Sequence, residues 1–273
     1  MTVLDALAPT APWAGPMLYA CLLFGLRYLV VAGFWFVMSR PVAGRGGGRA
    51  HAVTPGSRFD VRSAALHEAV RSAVAIGVFT LVYGVCAGWQ LDRWMAVYLD
   101  DRHPLWWIPV SIVLALLLHD TLFYWLHRLM HTRALFRRVH LVHHRSIHPT
   151  SFAAYCFHPL EALLEGLAVL AVFCIVPMHL GAMLAFETIG LIYNCYGHCG
   201  REFYPVGWGS HPLGRWLNSS SNHAHHHLRG SGNYGLYFMV WDHLMGTAVE
   251  QNALQQDAPD TVPMELLPDS QMV

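Results

Sequence analysis

Lysine is absent from this chain of 273 residues: all seventeen basic residues are arginine, balanced by seventeen acidic ones. Charged residues of every kind make up only 12%, against 55% apolar, roughly half the charge of an ordinary soluble domain. Too little polar surface exists to cover a globule, so a bilayer is expected as part of the solvent. With zero net charge, neither nucleic acid nor a strongly acidic partner is implied. Cysteines are few, and Cys21, Cys86, Cys156, Cys174, Cys195 and Cys199 form no C-x-x-C pair and no disulfide framework. They read as free thiols, several of them buried in apolar runs; a metal role for Cys195 and Cys199, beside His198, is the minor reading. The N-terminus lacks the positive region of a cleaved signal, so the first apolar run is expected to stay as an anchor.

What the chain has instead is long apolar runs. Residues 17–38 can span a bilayer. Arg27 interrupts them; an arginine at mid-depth costs about 2.5–3.5 kcal/mol on insertion scales, so it is expected to snorkel or to find a structural partner. Residues 41–58, rich in Gly, Pro and Arg, read as a polar loop. A second apolar segment covers 72–90, and a third runs from Leu105 through His131. At about 1.5 Å per residue the third is about 40 Å long, against about 30 Å of hydrocarbon, so its last turns should leave the membrane. Two shorter stretches, 160–176 and 181–197, break at Pro177–Gly181 and fit either two tilted spans or a re-entrant hairpin. Glu187 in the second would be costly if it faced lipid.

Arginine placement orients the chain. Arg40, Arg45, Arg49, Arg58, Arg62 and Arg71 follow the first span, and Arg128, Arg133, Arg137, Arg138 and Arg145 follow the third. Only Arg93 and Arg102 follow the second, beside Asp92, Asp100 and Asp101. The positive-inside rule puts the first two groups in the cytoplasm. The histidine clusters fall on that same side if 160–197 returns to it.

Nineteen histidines are the anomaly, and most are bunched. In HDTLFYWLHRLMH, His127 and His131 are four apart and share a helix face. Asp120 and Tyr124 continue that stripe, and Asp120 is placed to orient a ligand imidazole through its second N–H. In HLVHH, His140, His143 and His144 take i, i+3, i+4 spacing and are expected on one face. The same H-x-x-H-H frame recurs in HAHHH as His223, His226 and His227, with His225 in a variable slot. Repetition of one frame some eighty residues apart makes the signal specific. His198 ends the 181–197 stretch and joins them as a candidate. These nine imidazoles are too many for one ion and suit two metals of four to five ligands each. Imidazole ligation fits iron, zinc or copper, and zinc binds such sites more tightly than Fe(II). Neutral ligands at the mouth of a dry apolar cavity suit oxidation of an unactivated C–H bond.

These pieces resemble the fatty acid hydroxylase and sterol desaturase superfamily over residues 115–248. The matching segments are YWLHRLMH, HLVHHRSIHPTSF, FHPLE at 157–161, His198, and SNHAHHHLRGSGNYGLYFMVWDHLMGT at 221–247. PTSFAAYCFHPLE and GNYGLYFMVWD are closest to the sterol C5-desaturase branch, which includes bacterial proteins that need not act on sterols. The resemblance implies two iron ions, dioxygen as co-substrate, and an external electron donor: a ferredoxin, rubredoxin or cytochrome. Asn194 stands where the hydroxylase branch carries a further histidine, which leaves one metal a ligand short unless His225, His158 or water supplies it. His148 and His158 match the pattern after the second box and are assigned to the ligands' surroundings or the substrate pocket. Glu161 suits the helix dipole as well as any functional role. Asp242 is a candidate brace for a ligand histidine, while Gly235 and Gly246 suit turns. His119 falls outside the ligand set.

The expectation is therefore an all-α integral membrane protein with about four transmembrane helices and a cytoplasmic histidine-rich dimetal cap. Its parts are anchor helices and loops (1–104), a catalytic domain (105–248) and a polar tail (249–273). The activity expected is hydroxylation or desaturation of a sterol-like, hopanoid or fatty acyl lipid, in a bacterial inner membrane. Two rivals remain. A zinc-dependent lipid hydrolase would use Asp120 or Asp242 as a base. A metal transporter would place ionisable groups along a path at mid-membrane.

Overall fold

The computed structural model describes residues 14–40, 60–88 and 91–249. The expected polar loop at 41–58 and all but the first residue of the expected tail lie outside the described residues. Helices dominate the rest. Helices α1 (Ala14–Met38), α2 (Val61–Gly88) and α3 (Trp107–Met130) are long and apolar enough to cross a membrane. The surface of α1 explains why the composition calls for lipid. Ala20, Tyr28 and Ala32 are buried on one side, while Leu22, Leu26, Val30 and Val37 on the other are more than half exposed. A helix apolar on both faces is solvated only by hydrocarbon.

Between α2 and α3 a two-residue strand β1 (Val97–Tyr98) marks the end of the bundle far from the histidines. Helix α4 (Pro159–Ile175) starts at the histidine end, where the His158 ring accepts the Leu160 N–H as an N-cap. Pro159 follows at a position where no N–H is needed. α4 runs back along α3 and ends beside β1, with the Phe173 carbonyl accepting from the Ala96 N–H at 2.8 Å. Strand β2 (Met178–His179) pairs in parallel with β1, and the Trp107 indole donates to the Pro177 carbonyl at 2.8 Å. Helix α5 (Leu180–His198) then returns to the histidine end. The break expected at Pro177–Gly181 is therefore a turn fastened to the start of α3. Arg27 and Glu187, each an expensive residue in lipid, meet across α1 and α5 at 2.8 Å.

The cap is built from 131–157 and 199–249, and buried carboxylates pin it. Glu68 of α2 accepts from the Thr150 N–H and hydroxyl. Asp120 of α3 accepts from three successive N–H groups, those of Leu236, Tyr237 and Phe238, at 2.7–3.2 Å. Asp242, in the short helix Val240–Leu244, accepts from the N–H groups of Tyr234 and Gly235 and from the Thr247 hydroxyl. Gly235 is required here: a Cβ on it would lie 2.1 Å from the Phe238 carbonyl oxygen. Gly246 turns the chain at φ 67°.

Arg128 to Arg145 lie at the histidine end of the bundle with Arg62 and Arg71, and Arg93 and Arg102 lie at the other. Single cysteines replacing Leu105 and Arg138, in a chain freed of the exposed Cys21 and Cys174, should therefore react with an impermeant maleimide from opposite faces of sealed vesicles. Reaction of both from one face would contradict this topology.

Candidate metal centre

Four segments deliver the nine histidines. His127 and His131 come from the last turn and cap of α3. The chain then passes through a π-helical turn at Phe136–His140 into a single α turn, Leu141–His144. The wider π turn lies between the end of α3 and the box that His140 opens, a device frequent at functional sites. His198 closes α5. Helix α6 (Ser220–Arg229) carries His223, His226 and His227; the Ser219 hydroxyl caps its first turn by accepting the Asn222 N–H, and Gly230 ends it at φ 66°.

All nine are drawn together, in two groups. One holds His127, His131, His140, His144 and His226, the other His143, His198, His223 and His227, and in each group the available nitrogens lie within 4.8 Å of one another. The three imidazoles of each H-x-x-H-H frame do not serve one face alone, as the spacing led one to expect. In the first frame His140 and His144 enter the larger group and His143 the smaller; in the second His223 and His227 enter the smaller and His226 the larger. Residues i and i+4 thus grip one position while i+3, turned roughly 60° away on a helix of 3.6 residues per turn, reaches across to the other.

Whether these rings suit metal ions is decided by their protons. His127 Nδ1 donates to the Tyr234 carbonyl, His198 Nδ1 to the Asn194 carbonyl and His226 Nδ1 to the Gly232 carbonyl, at 2.7–2.9 Å. His140 Nδ1 meets Glu161 Oε1 at 2.7 Å. A carbonyl only accepts, so the Nδ1 facing it carries the proton and Nε2 of the neutral ring presents a lone pair. Those Nε2 atoms face one another. His127 and His140 are 3.1 Å apart, His226 and His144 3.1 Å, and His198 lies 3.0–3.2 Å from His143, His223 and His227. Each contact joins a ring whose Nδ1 proton a carbonyl holds to a second imidazole, and wherever both rings present lone pairs at that distance they repel unless a cation lies between them. Nitrogens about 2.0–2.1 Å from one ion stand about 3 Å apart at right angles, so the spacing matches shared ligation. Burial first, then the neighbouring rings, pushes the basicity of His140, His143, His144, His223, His226 and His227 well below the usual imidazole range. The donors are thus in the neutral form that binds metal.

The surrounding residues depart from several expectations. Asp120 and Asp242 hydrogen-bond to no ring of either group: each is engaged within the 234–238 turn and its neighbours, and Asp242 acts on His127 only by fixing the Tyr234 carbonyl that His127 uses. The carboxylate that does brace a ring of either group is Glu161, and no spacing rule singles it out, because it meets His140 across two separate segments. The Tyr124 hydroxyl pairs with the Thr247 Oγ1 at 3.0 Å and stays clear of both groups. His158 is a helix cap, and His225, buried with neither ring nitrogen partnered, joins neither group. Neither therefore supplies the ligand missing at Asn194, whose amide donates to the Ala154 carbonyl at 2.8 Å. His148 also stays outside both groups, as do Cys195 and Cys199.

Beneath the rings lies a cavity of about 620 Å³, lined mostly by apolar side chains of α1 to α5, with Arg27, His119, Glu165, Glu187, Asn194 and Tyr237 among them. His119 Nδ1 and the Tyr237 hydroxyl meet at 2.9 Å. Two of the lining rings touch the ligand histidines: Phe123 lies 5.2 Å from His127 and Phe157 5.2 Å from His143, between ring centroids. One aromatic layer separates the cavity from the imidazoles.

The fatty acid hydroxylase family model matches residues 112–247, the stretch that carries all nine histidines. This chain belongs to the fatty acid hydroxylase and sterol desaturase superfamily. Lathosterol oxidase of Mus musculus is 31% identical over 158 residues, 57% of this chain and 51% of the mouse protein. A methylsterol monooxygenase of Aspergillus fumigatus is 31% identical over 154 residues, 55% and 50% of the two chains. A Delta(7)-sterol 5(6)-desaturase of Gibberella zeae is 29% identical over 147 residues, 54% and 44%. The chain spans about half the length of these curated relatives. No solved structure matches it.

Two outcomes follow for the centre. Glu161→Ala should weaken metal retention about 10–100-fold, with Glu161→Gln milder because its amide oxygen still accepts. Metal content after dialysis against a buffered chelator checks this, and unchanged retention would remove Glu161 from the centre. In the metal-free protein the rings are neutral when folded but gain protons on unfolding below about pH 6.5. The unfolded state then binds more protons, so these rings leave stability unchanged above that pH and lower it as pH falls through it. Thermal unfolding of chelator-treated protein should move to lower temperature between about pH 8 and about pH 5.

Proposed function

We propose that this protein is a membrane-bound non-haem diiron oxidase that hydroxylates or desaturates a lipid. The observation that carries the reading is an apolar cavity, open to lipid-embedded helices, ending one aromatic layer from two groups of neutral imidazoles. In this reading His127, His131, His140, His144 and His226 hold one iron, and His143, His198, His223 and His227 the other. Bound there, the irons supply the activation of dioxygen, with electrons from an external ferredoxin, rubredoxin or cytochrome. Zinc would occupy the same nitrogens in protein purified without iron, because it binds such sites more tightly than Fe(II).

The chain's own residues have separable tasks. The carbonyls of Tyr234, Asn194 and Gly232, with Glu161, fix four ring orientations by holding Nδ1. Phe123 and Phe157 keep the substrate side dry, which limits leakage of a strong oxidant. The cavity takes up the apolar body of a sterol-like, hopanoid or fatty acyl substrate from the bilayer. Arginine placement favours the cytoplasmic face, in a bacterial inner membrane, for the site.

The two rivals lose their main supports. Asp120 and Asp242, the bases a hydrolase would use, are engaged by backbone N–H groups of the 234–238 segment. A transporter needs a chain of ionisable groups through the membrane; of the four that line the cavity, Arg27 and Glu187 neutralise each other and His119 is paired with the Tyr237 hydroxyl, which leaves Glu165 alone.

Lipid extracts of cells with and without the protein should differ by an oxidised or unsaturated product. His143→Ala should lower that product by more than about a hundredfold while leaving membrane insertion intact. Purified enzyme should consume oxygen only with a reductant present. Normal product yield from His143→Ala would contradict the assignment, and lipid cleavage without oxygen uptake would favour the hydrolase.

A further inference from the structure

The Arg27–Glu187 pair is at odds with its surroundings. It lines the cavity with Phe24, Phe79, Leu184 and Phe186, beside the Tyr155 hydroxyl that Arg27 also contacts and with Glu165 elsewhere in the wall, and its side chains are 12% and 13% exposed. Stability does not account for it: a buried ion pair is on average no better than well-packed apolar side chains of the same volume. It is also not fully used. Nε of Arg27 has no hydrogen-bond partner. An intramembrane charge that faces a substrate-sized cavity marks a polar contact for what the cavity holds.

We infer that Arg27 and Glu187 dock a single uncharged oxygen, a hydroxyl or carbonyl, on the lipid that occupies this cavity. The charge state follows from the pair being neutral as a whole. A hydroxyl can accept from the guanidinium and donate to the carboxylate, and a carbonyl can accept. A carboxylate ligand would bring a second negative charge beside Glu187 in a low-dielectric site, which is unfavourable. The position also sets regiochemistry. Glu187 and His198 lie on one helix, about 16 Å apart along its axis at about 1.5 Å per residue. A lipid docked by its oxygen at Glu187 therefore presents to the histidine end a carbon remote from that oxygen, not one beside it. This second half rests on the oxidase reading; the docking does not.

The test is competition binding on the full-length, metal-loaded protein in lipid nanodiscs, with tritiated 1-octadecanol as probe and unlabelled 1-octadecanol, octadecane and octadecanoate as competitors. The wild type should prefer the alcohol to both others by about tenfold, the factor one buried hydrogen bond supplies. Arg27→Met combined with Glu187→Leu should abolish the preference of alcohol over alkane. Arg27→Gln combined with Glu187→Gln, which keeps hydrogen bonding without charge, should restore part of it and relax the exclusion of octadecanoate. Equal competition by all three in the wild type would overturn the inference, as would an apolar double variant that still prefers the alcohol. Should that variant fail to assemble, the wild-type order alone decides. Binding is read without turnover, so an absence of oxidised product in cells would sink the oxidase reading and leave the docking result standing.

Discussion

The rest of the structure answers to one electrostatic constraint: buried Nε2 atoms converge at about 3 Å in two places, and a cation at each is what would let all of them present lone pairs at once. Rings that point lone pairs at one another do not find this arrangement by their own packing. They are held there by what lies behind them, chiefly the carbonyls and the carboxylate on Nδ1. Those acceptors must in turn be immobile, and this explains the buried acids of the cap. Asp242 fixes the turn that carries the Tyr234 carbonyl, Asp120 fixes residues 236–238 just after it, and Glu68 ties the segment around Thr150 to α2. The carboxylates serve the centre from a distance by making its scaffold rigid.

The membrane supplies the other half of the logic. Helices α1, α2 and α3 with the α4–α5 hairpin enclose a cavity whose walls are mostly aliphatic and aromatic, with the Arg27–Glu187 pair set into them, and it reaches toward the imidazole cap. Strands β1 and β2 are two residues long and contribute little surface, yet they fasten the hairpin turn to the start of α3. That contact sets the depth to which α4 and α5 extend. It thereby sets the height of His198 relative to His127, which lies on the neighbouring helix.

Much of this was legible in the sequence, and the parts that were not share a cause. Helix periodicity and spacing are local, so the H-x-x-H-H frames, the nine rings and the break at Pro177 could be read from adjacent residues. Pairings between distant segments could not. Arg27 and Glu187 each read as an isolated problem, and only the approach of α1 to α5 turns the two into one solution. Asp120 looked better placed than Glu161 to brace a ligand because it stands on the ligand helix. The helix instead points Asp120 at the 236–238 backbone, while Glu161 reaches His140 from α4. The expectation that each frame serves one face failed for a related reason: residues i and i+4 align, but i+3 lies far enough round the helix to face a second centre when a partner group stands there.

That last point explains why the frame occurs twice. One frame alone would offer two rings to one position and a stray third to nothing. Two frames facing each other exchange their third rings: His143 leaves the first for the position held by His223 and His227, and His226 leaves the second for the position held by His140 and His144. The exchange crosslinks the two positions, so neither can be displaced without moving a segment that serves the other. His127 and His131 then add two rings to one side and His198 adds one to the other, which makes the count five against four. The four-ring side is also the side next to Asn194, where the chain places an amide turned away toward the Ala154 carbonyl. The inequality between the two positions is therefore set by α3 and α5, the helices that also wall the cavity, and not by the repeated frames themselves.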